Sequence, residues 1–472
     1  MIDTAKIKAN ILSCAFKGML VDFNVEKSNK DLDELHKENK KYVPVKEDEY
    51  LTEVPSRWQW SRLGYVTNNH GQKEPQEDFC YIDVGTLDNI NHCLAKKENL
   101  VNKEEAPSRA RKIVEQGDVL YSTVRPYLHN ICIINKDFSR MPVASTAFCV
   151  MAVEEKVLIN KYLFYWLLSP EFDKFSNGNP SKGTLYPAIG EKDLLNGVIP
   201  IPDIEEQKLI VEKLDSAFEH LDKLNRLQTQ YSSDLEVLKS KIIDAGIQGK
   251  LTEQLPEDGT AEELLEQIAK EKKQLIKEKK IKATKALPEI TEDEIPFEIP
   301  VNWKWVRLAD ICSKITSGNT PAGGSKGGAY VTEGNCFFRE QNIYNDGIHY
   351  EGMVYITDEL LATRENSTVL PQDILLNITG GSIGRCALIP DDFSKGSINQ
   401  HILIIRVIEP EIRQYIHKCL CSPYYQKLIM GNVVGDKDGF SAGRCKNTLI
   451  PLPPIGEQKR IVEKITQILE QI

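Results

Sequence analysis

Two groups of side chains with hydrogen-bonding chemistry stand in glycine- and proline-bearing stretches of this 472-residue chain. The first group is Arg125, Tyr127 and His129, followed by Ser181, Lys182 and Thr184 of the segment GNPSKGTLYP. The second is Thr379, Ser382 and Arg385, then the run Asn399-Gln400-His401, then Lys437, Ser441, Arg444 and Lys446 of GDKDGFSAGRCKN. Guanidinium and ammonium groups donate well to guanine edges, and carboxamides pair with adenine, so as a set these residues suit the reading of base edges. For any one of them the plainer role is solvation of an exposed loop. Asn399 and Gln400 also suit a structural role at the end of a strand.

Catalytic chemistry is hard to find. No Asn/Asp-Pro-Pro-aromatic tetrapeptide of an amino-methyltransferase occurs, and no His-Glu-x-x-His. Gly318 and Gly323 begin a phosphate-loop spacing, but Gly324-Ser325 stand where Lys-Ser/Thr is needed. Gly380, Gly381 and Gly384 fit a tight strand-to-strand loop as well as they fit a phosphate cradle. The eight histidines form no ligand cluster in the sequence, and His129 and His401 each stand alone. The eleven cysteines are scattered singly, Cys419 and Cys421 being the one close pair, with no Cys-x-x-Cys. That pattern speaks against zinc ribbons and disulfide scaffolds and for reduced core thiols in a cytoplasm. The expectation is a chain that catalyses nothing by itself and holds no metal.

The elements that must position the loops are duplicated. IPIPDIEEQKLIVEKL from Ile199 returns as IPLPPIGEQKRIVEKI from Ile450, identical at eleven of sixteen positions. PSRWQWSRL from Pro55 returns as PVNWKWVRL from Pro300, and these elements hold four of the five tryptophans. Between them, QGDVLYSTVRPYLHNICII from Gln116 parallels PQDILLNITGGSIGRCALI from Pro371, each reading as turn, strand, loop and strand. This marks out two domains, 55–202 and 300–453, with shared ends and diverged middles. The formal charge of −10 lies outside them: 55–202 has 17 basic and 17 acidic residues, and 300–453 has 15 of each. Neutral domains can still hold a phosphate backbone if their basic groups share one face.

Connectors join the domains. No proline or glycine interrupts Ile204–Ala245, and Leu214, Phe218, Leu221, Leu235, Leu238 and Ile242 recur at helical steps. Those 42 positions make a rod of roughly 60 Å. A spacer coiled coil fits the stripe better than a hairpin packed on its own domain. Asp203 and Glu206 have capping-box spacing, and Gly246 or Gly249 offers the stop. In the second copy Pro454 and Gly456 replace Asp203 and Glu205, weakening the cap, while Glu457 keeps the first-turn acid. ILSCAFKGML from Ile11 resembles IIDAGIQGKL from Ile242, and Asp31–Lys41 looks like Leu264–Gln274. The two termini thus carry parts of a second connector. The predicted layout is half-connector 1–54, domain 55–202, central connector 203–299, domain 300–453 and half-connector 454–472. It is an α+β architecture: two globular α/β domains separated by long antiparallel helices, pseudo-two-fold and circularly closed. No apolar run approaches membrane-spanning length, and the N-terminus has no signal-peptide pattern.

The paired P-x-P-x-x-x-E-Q-K-x-I-V-E-K elements from Pro200 and Pro451, the W-x-W-x-R-L openings and the paired strands together resemble the specificity subunit of a type I restriction–modification system. The resemblance spans nearly the whole chain. It implies that each globular domain is a target recognition domain reading one half of a split site in double-stranded DNA. It implies that the helices set half-site spacing and dock two methylation subunits, with restriction (motor) subunits joining the assembly. S-adenosylmethionine, Mg²⁺ and ATP would then belong to those partners. The competing readings are a two-armed protein-binding adaptor and a self-contained enzyme.

Overall fold

The Trp-x-Trp and Ile-Pro-x-Pro markers travel together because they are partner strands. Gln59–Arg62 pairs antiparallel with Val198–Ile201, Trp60 facing Pro200. Lys304–Arg307 pairs in the same way with Leu449–Leu452, Trp305 facing Pro451. Each pair closes one domain, bringing its first strand to its last. The computed structural model describes residues 1–23, 30–38, 42–178, 187–283, 287–322, 328–431 and 440–472. It divides into two compact units, Met1–Gln230 and Tyr231–Ile472.

Within each unit the middle of the domain, where sequence similarity is lowest, has the same topology. In the first, an antiparallel sheet runs in the order Thr67–Asn68, Phe148–Val153, Val119–Ser122, Ile131–Ile133. Its counterpart runs Cys312–Ser317, Ile402–Val407, Ile374–Asn377, Cys386–Leu388. A second four-stranded sheet is ordered Leu100–Val101, Phe79–Ile82, Pro142–Ser145, Ala110–Ile113, and its counterpart Val354–Ile356, Asn335–Phe338, Gly396–Ile398, Thr368–Val369. In both, the two inner strands are parallel. The predicted strand-loop-strand pairs are the hairpins Val119–Ser122 with Ile131–Ile133 and Ile374–Asn377 with Cys386–Leu388. Val119–Ser122 and Ile374–Asn377 are buried along their whole length. That explains why they read as continuous apolar runs rather than alternating ones.

A repeated ion pair locks the opening strand to the segment before it. Arg62, buried, gives its guanidinium to both Glu49 oxygens at 2.8 Å and to the Val43 and Asn196 carbonyls. Arg307 does the same with Glu294, at 3.1 and 2.9 Å, and with the Pro288 and Asn447 carbonyls. The Arg62 hydrogen bonds hold the Glu49 carboxyl below the usual carboxylate range. These acids lie in Lys46-Glu-Asp-Glu and Thr291-Glu-Asp-Glu, a further repeat beside the tryptophan and proline markers.

The long helix spans Ile204–Ile247 and runs from the first unit into the second. Asp203 caps it, its Oδ1 accepting from the Glu205 amide at 2.9 Å. The expected capping box does not close: Glu206 is buried and binds the Arg57 guanidinium at 2.6 and 3.2 Å instead. The second copy has no side-chain cap at Pro454. Its Glu457 is buried and accepts from Trp303 Nε1 at 2.8 Å. In the first unit the helix Thr4–Phe16 lies antiparallel to the long helix, Lys8 meeting Asp222 at 2.5 Å and the Ile2 amide meeting Gln228 at 2.6 Å. In the second unit the helix Ile455–Glu470 meets the far end of the long helix in the same antiparallel sense. Ile461 and Ile465 close on Gly246, and Glu457 accepts from Thr252 and Gln254. Each terminal helix therefore takes the same role at its own end of the rod. The apolar stripe is filled at Leu214 but not throughout: Leu238, expected in it, is 46% exposed.

Candidate nucleic-acid interface

In the second unit Asn377 ends its strand opposite Ile402, which begins another, and Ser317 ends a third opposite Leu403. The segments after Ser317, after Asn377 and before Ile402 therefore leave the sheet at one end. Hydrogen bonds tie them to each other. Gly318 donates its amide to the Asn399 carbonyl, and Ile378 donates to the His401 carbonyl. Thr320 donates to Gln400, Gln400 Nε2 lies 3.1 Å from His401 Nε2, and His401 Nδ1 lies 2.6 Å from the Thr379 hydroxyl. Phe440 donates its amide to the Ile378 carbonyl. That contact brings the short helix Ala442–Asn447 to the same end, with Ser441 as its N-cap.

Six of the predicted residues, Thr379, Ser382, Arg385, Asn399, Gln400 and His401, thus share one sheet end. They are not equivalent. Asn399 is buried, gives its amide to Glu340 at 2.8 Å and accepts the His401 amide, so it takes the strand-end structural role. Ser382 accepts from Asn377 Nδ2 at 3.2 Å, and the Ser441 hydroxyl accepts from the Arg444 amide. Gln400 and Arg444 are exposed, and His401, Arg385 and Lys446 are half-buried. Arg385 lies with its guanidinium carbon 4.3 Å from the centre of the Tyr344 ring, and Tyr344 stacks on His349 at 4.0 Å.

In the first unit the corresponding loop is held in costly backbone. Arg125 and His129 bracket the short turn Pro126–Leu128 with φ of +52° and +48°, left-handed values that non-glycine residues adopt rarely. Hydrogen bonds enforce them: the Arg125 amide donates to the Pro187 carbonyl and the Leu128 amide to the Arg125 carbonyl. Tyr127 stands 50% exposed at the tip. His129 Nε2 is 2.6 Å from Asp173, which anchors the ring to the helix Pro170–Gly178. Ser181, Lys182, Thr184 and Lys437 lie outside the described residues.

The contacts also identify residues that sequence reasoning missed. Glu340 sits among the second-unit loops. Burial acts to raise its carboxyl, and the Asn399 amide, with His401 and Arg339 nearby, outweighs this and leaves it below the ordinary value. Tyr344 ends the first strand of the hairpin Ile343–Tyr344/Gly347–Ile348 and His349 follows its second, and the Asn345-Asp346-Gly347 turn between the strands was a readable signal. The first unit has the corresponding hairpin Leu87–Asp88/Cys93–Leu94, and its Asn89 donates to the Leu128 carbonyl. One expectation is corrected. His417 does join a cluster, its ring nitrogen coming within 4.8 Å of the sulfurs of Cys386 and Cys421. Residues distant in sequence are brought together there by a strand and a helix.

Two domains of one topology, each gathering diverged polar loops at the corresponding sheet end, define a protein built to present two different surfaces from one frame. A profile of the type I restriction modification DNA specificity domain matches residues 55–231 and again 300–472, and the chain belongs to that family. It is similar to the type I restriction enzyme EcoAI specificity subunit of Escherichia coli, 24% identical over 98% of this chain and 89% of that protein. Among solved structures, it resembles a chain from work on the assembly and conformational transition of the type I R-M system. That chain is 24% identical with a TM-score of 0.66, over 89% of this chain and 92% of the other. It also resembles the HsdS subunit from Thermoanaerobacter tengcongensis, 24% identical with a TM-score of 0.51, over 89% and 91%. Those structures agree with the fold: two sheet-rich domains joined by a long helix. Among the described residues no helix is long and apolar enough to cross a membrane.

Proposed function

We propose that this chain is the DNA-reading subunit of a type I restriction–modification complex and carries no catalytic centre of its own. Each globular domain reads one half of a bipartite site in double-stranded DNA. The helices fix the distance between the halves and dock two methylation subunits, and restriction (motor) subunits join that core in the cytoplasm. The observation that carries this is the pairing of one repeated topology with two different sets of loop side chains at the same sheet end. A frame kept twice with different tips reads two different half-sites. Arg125 in the first domain and Arg385, Arg444 and Lys446 in the second supply the cations for phosphates and guanine edges, and Gln400 supplies a carboxamide suited to adenine. S-adenosylmethionine, Mg²⁺ and ATP belong to the partner subunits, which perform adenine methylation and ATP-driven cleavage.

Sequencing of methylated bases in the host tests this reading. Deleting the gene is expected to abolish one bipartite adenine-methylated motif. Replacing residues 300–453 with the matching domain of a relative should change one half of that motif and leave the other. Both halves changing together would refute separate reading heads, and an unchanged methylome in a strain with active methylation subunits would favour a protein-binding adaptor.

A further inference from the structure

Cys386 opens the strand Cys386–Leu388, while His417 and Cys421 lie four residues apart on the helix Arg413–Cys421. That spacing puts both on one helix face, and the helix packs that face on the strand. The two sulfurs and an imidazole nitrogen lie within 4.8 Å of one another, Cys421 Sγ being 3.5 Å from His417 Nε2. A tetrahedral zinc ion, with sulfur at ~2.3 Å and nitrogen at ~2.0–2.1 Å, would hold two such atoms roughly 3.5 Å apart. A further donor stands beside them: the Cys386 carbonyl oxygen is 2.9 Å from His417 Nε2 and 4.0 Å from Cys421 Sγ.

The first unit shows what the same junction needs when only packing is required. Tyr162 and Tyr415 each donate a hydroxyl to the proline carbonyl of the closing strand, at Pro200 and Pro451, which aligns the helices Asn160–Leu167 and Arg413–Cys421. In that alignment Phe164 matches His417 and Leu168 matches Cys421. Ile131, paired with Tyr121, matches Cys386, paired with Leu376. Ile131, Phe164 and Leu168 all pack in the hydrophobic core of the first unit. Hydrocarbon holds all three positions in that copy, with the His92 imidazole, from the hairpin Leu87–Asp88/Cys93–Leu94, lying 3.3 Å from the Ile131 carbonyl and edge-on to Phe164, so the junction does not demand thiols there. In the other copy all three positions carry soft metal-ligand types at once.

We propose that Cys386, His417 and Cys421 bind one zinc ion that clamps helix to sheet in the second domain. On binding, both thiols release their protons to solvent. The neutral imidazole ligates through Nε2 with its proton on Nδ1, giving up its hydrogen bond to the Cys386 carbonyl. That carbonyl oxygen, or a water, takes the fourth position.

The test uses the full-length chain, freed of metal by chelation under reducing conditions and then titrated with Zn²⁺ or Co²⁺. The expected result is about one tightly bound ion per chain, with the visible absorption of tetrahedral thiolate-bound cobalt. The triple variant C386I/H417F/C421L, which installs the first unit's own residues, should keep its circular dichroism spectrum and bind at least about tenfold more weakly. If that variant does not fold, C421S alone serves, and weaker binding with a diminished cobalt thiolate band, Cys386 remaining as a thiolate ligand, is then the expected reading. Wild-type protein that takes up no stoichiometric metal, or variants that bind as wild type does, overturn the proposal.

Discussion

Arg385, proposed above to meet phosphates or a guanine edge, shows how a loop cation is held in place before any ligand arrives. A free arginine loses much side-chain entropy when it binds, whereas a guanidinium lying over an aromatic ring keeps its plane before the ligand arrives. Tyr344, itself stacked on His349, supplies that ring. R385A is therefore expected to weaken binding of the complex to its cognate duplex by about 1–3 kcal/mol and to relax one position of one half-site. Y344A should weaken binding less, through lost ordering, and leave the base preference alone. Titration of duplexes altered at each position of the motif checks this; an R385A loss that is uniform over all sequences would reassign Arg385 to the phosphates. Arg385 was legible in the sequence as a loop cation, but its support was not, since Tyr344 stands 41 positions earlier in an unrelated segment. Asn399 and Glu340 are farther apart still. Nothing local distinguishes a carboxamide aimed at solvent from one committed to a buried carboxylate.

Among the elements, helix ends carry the clearest repeat. Gly18 and Gly249 end the helices Thr4–Phe16 and Ile204–Ile247 with φ of +70° and +69°. A Cβ at either would lie 2.3 Å from the ring of the proline that starts the next domain, Pro55 or Pro300. Both the left-handed backbone and the proline contact exclude a side chain, so G249A should destabilise the second unit by at least about 1–2 kcal/mol. Thermal unfolding measures this, and an unchanged midpoint would mean that the junction yields. At this scale the sequence was informative: glycine stops, tryptophan strands and the long uninterrupted helix are local signals with direct backbone causes. What escaped was the use of side chains across elements. Glu206 has the spacing of a capping residue, but burial beside Arg57 offers its carboxylate a charged partner, and the ion pair displaces the cap. Similarly, a helical stripe counted from sequence includes Leu238, although packing against the terminal helices covers the rod towards its ends and leaves that residue exposed.

For the molecule as a whole, the long helix has the simplest consequence. If its length sets the distance between two half-sites, the spacer in the recognised motif is a property of the rod and not of the loops. Near Leu224 the helix has left the packed core of the first domain, and the neighbouring Leu227 is 57% exposed, so extra residues there spare that core while falling between the Lys8–Asp222 and Ile2–Gln228 contacts of the first terminal helix. Inserting four residues adds about one turn, roughly 6 Å of rise. The helix beyond the insertion rotates by about 40° relative to the original register, because four residues overshoot a 3.6-residue turn. A rise of that size is close to two base-pair steps of ~3.4 Å. The expected outcome is a methylated motif with both half-sites unchanged and a spacer lengthened by one or two base pairs. Alternatively, if the antiparallel terminal helices cannot accept the new register, methylation is lost together with assembly. Methylome sequencing and co-purification of the methylation subunits separate these results. A change in the bases of either half-site, at unchanged spacing, would show that the loops and the rod are not independent and would remove the reason for placing the ruler in the helix.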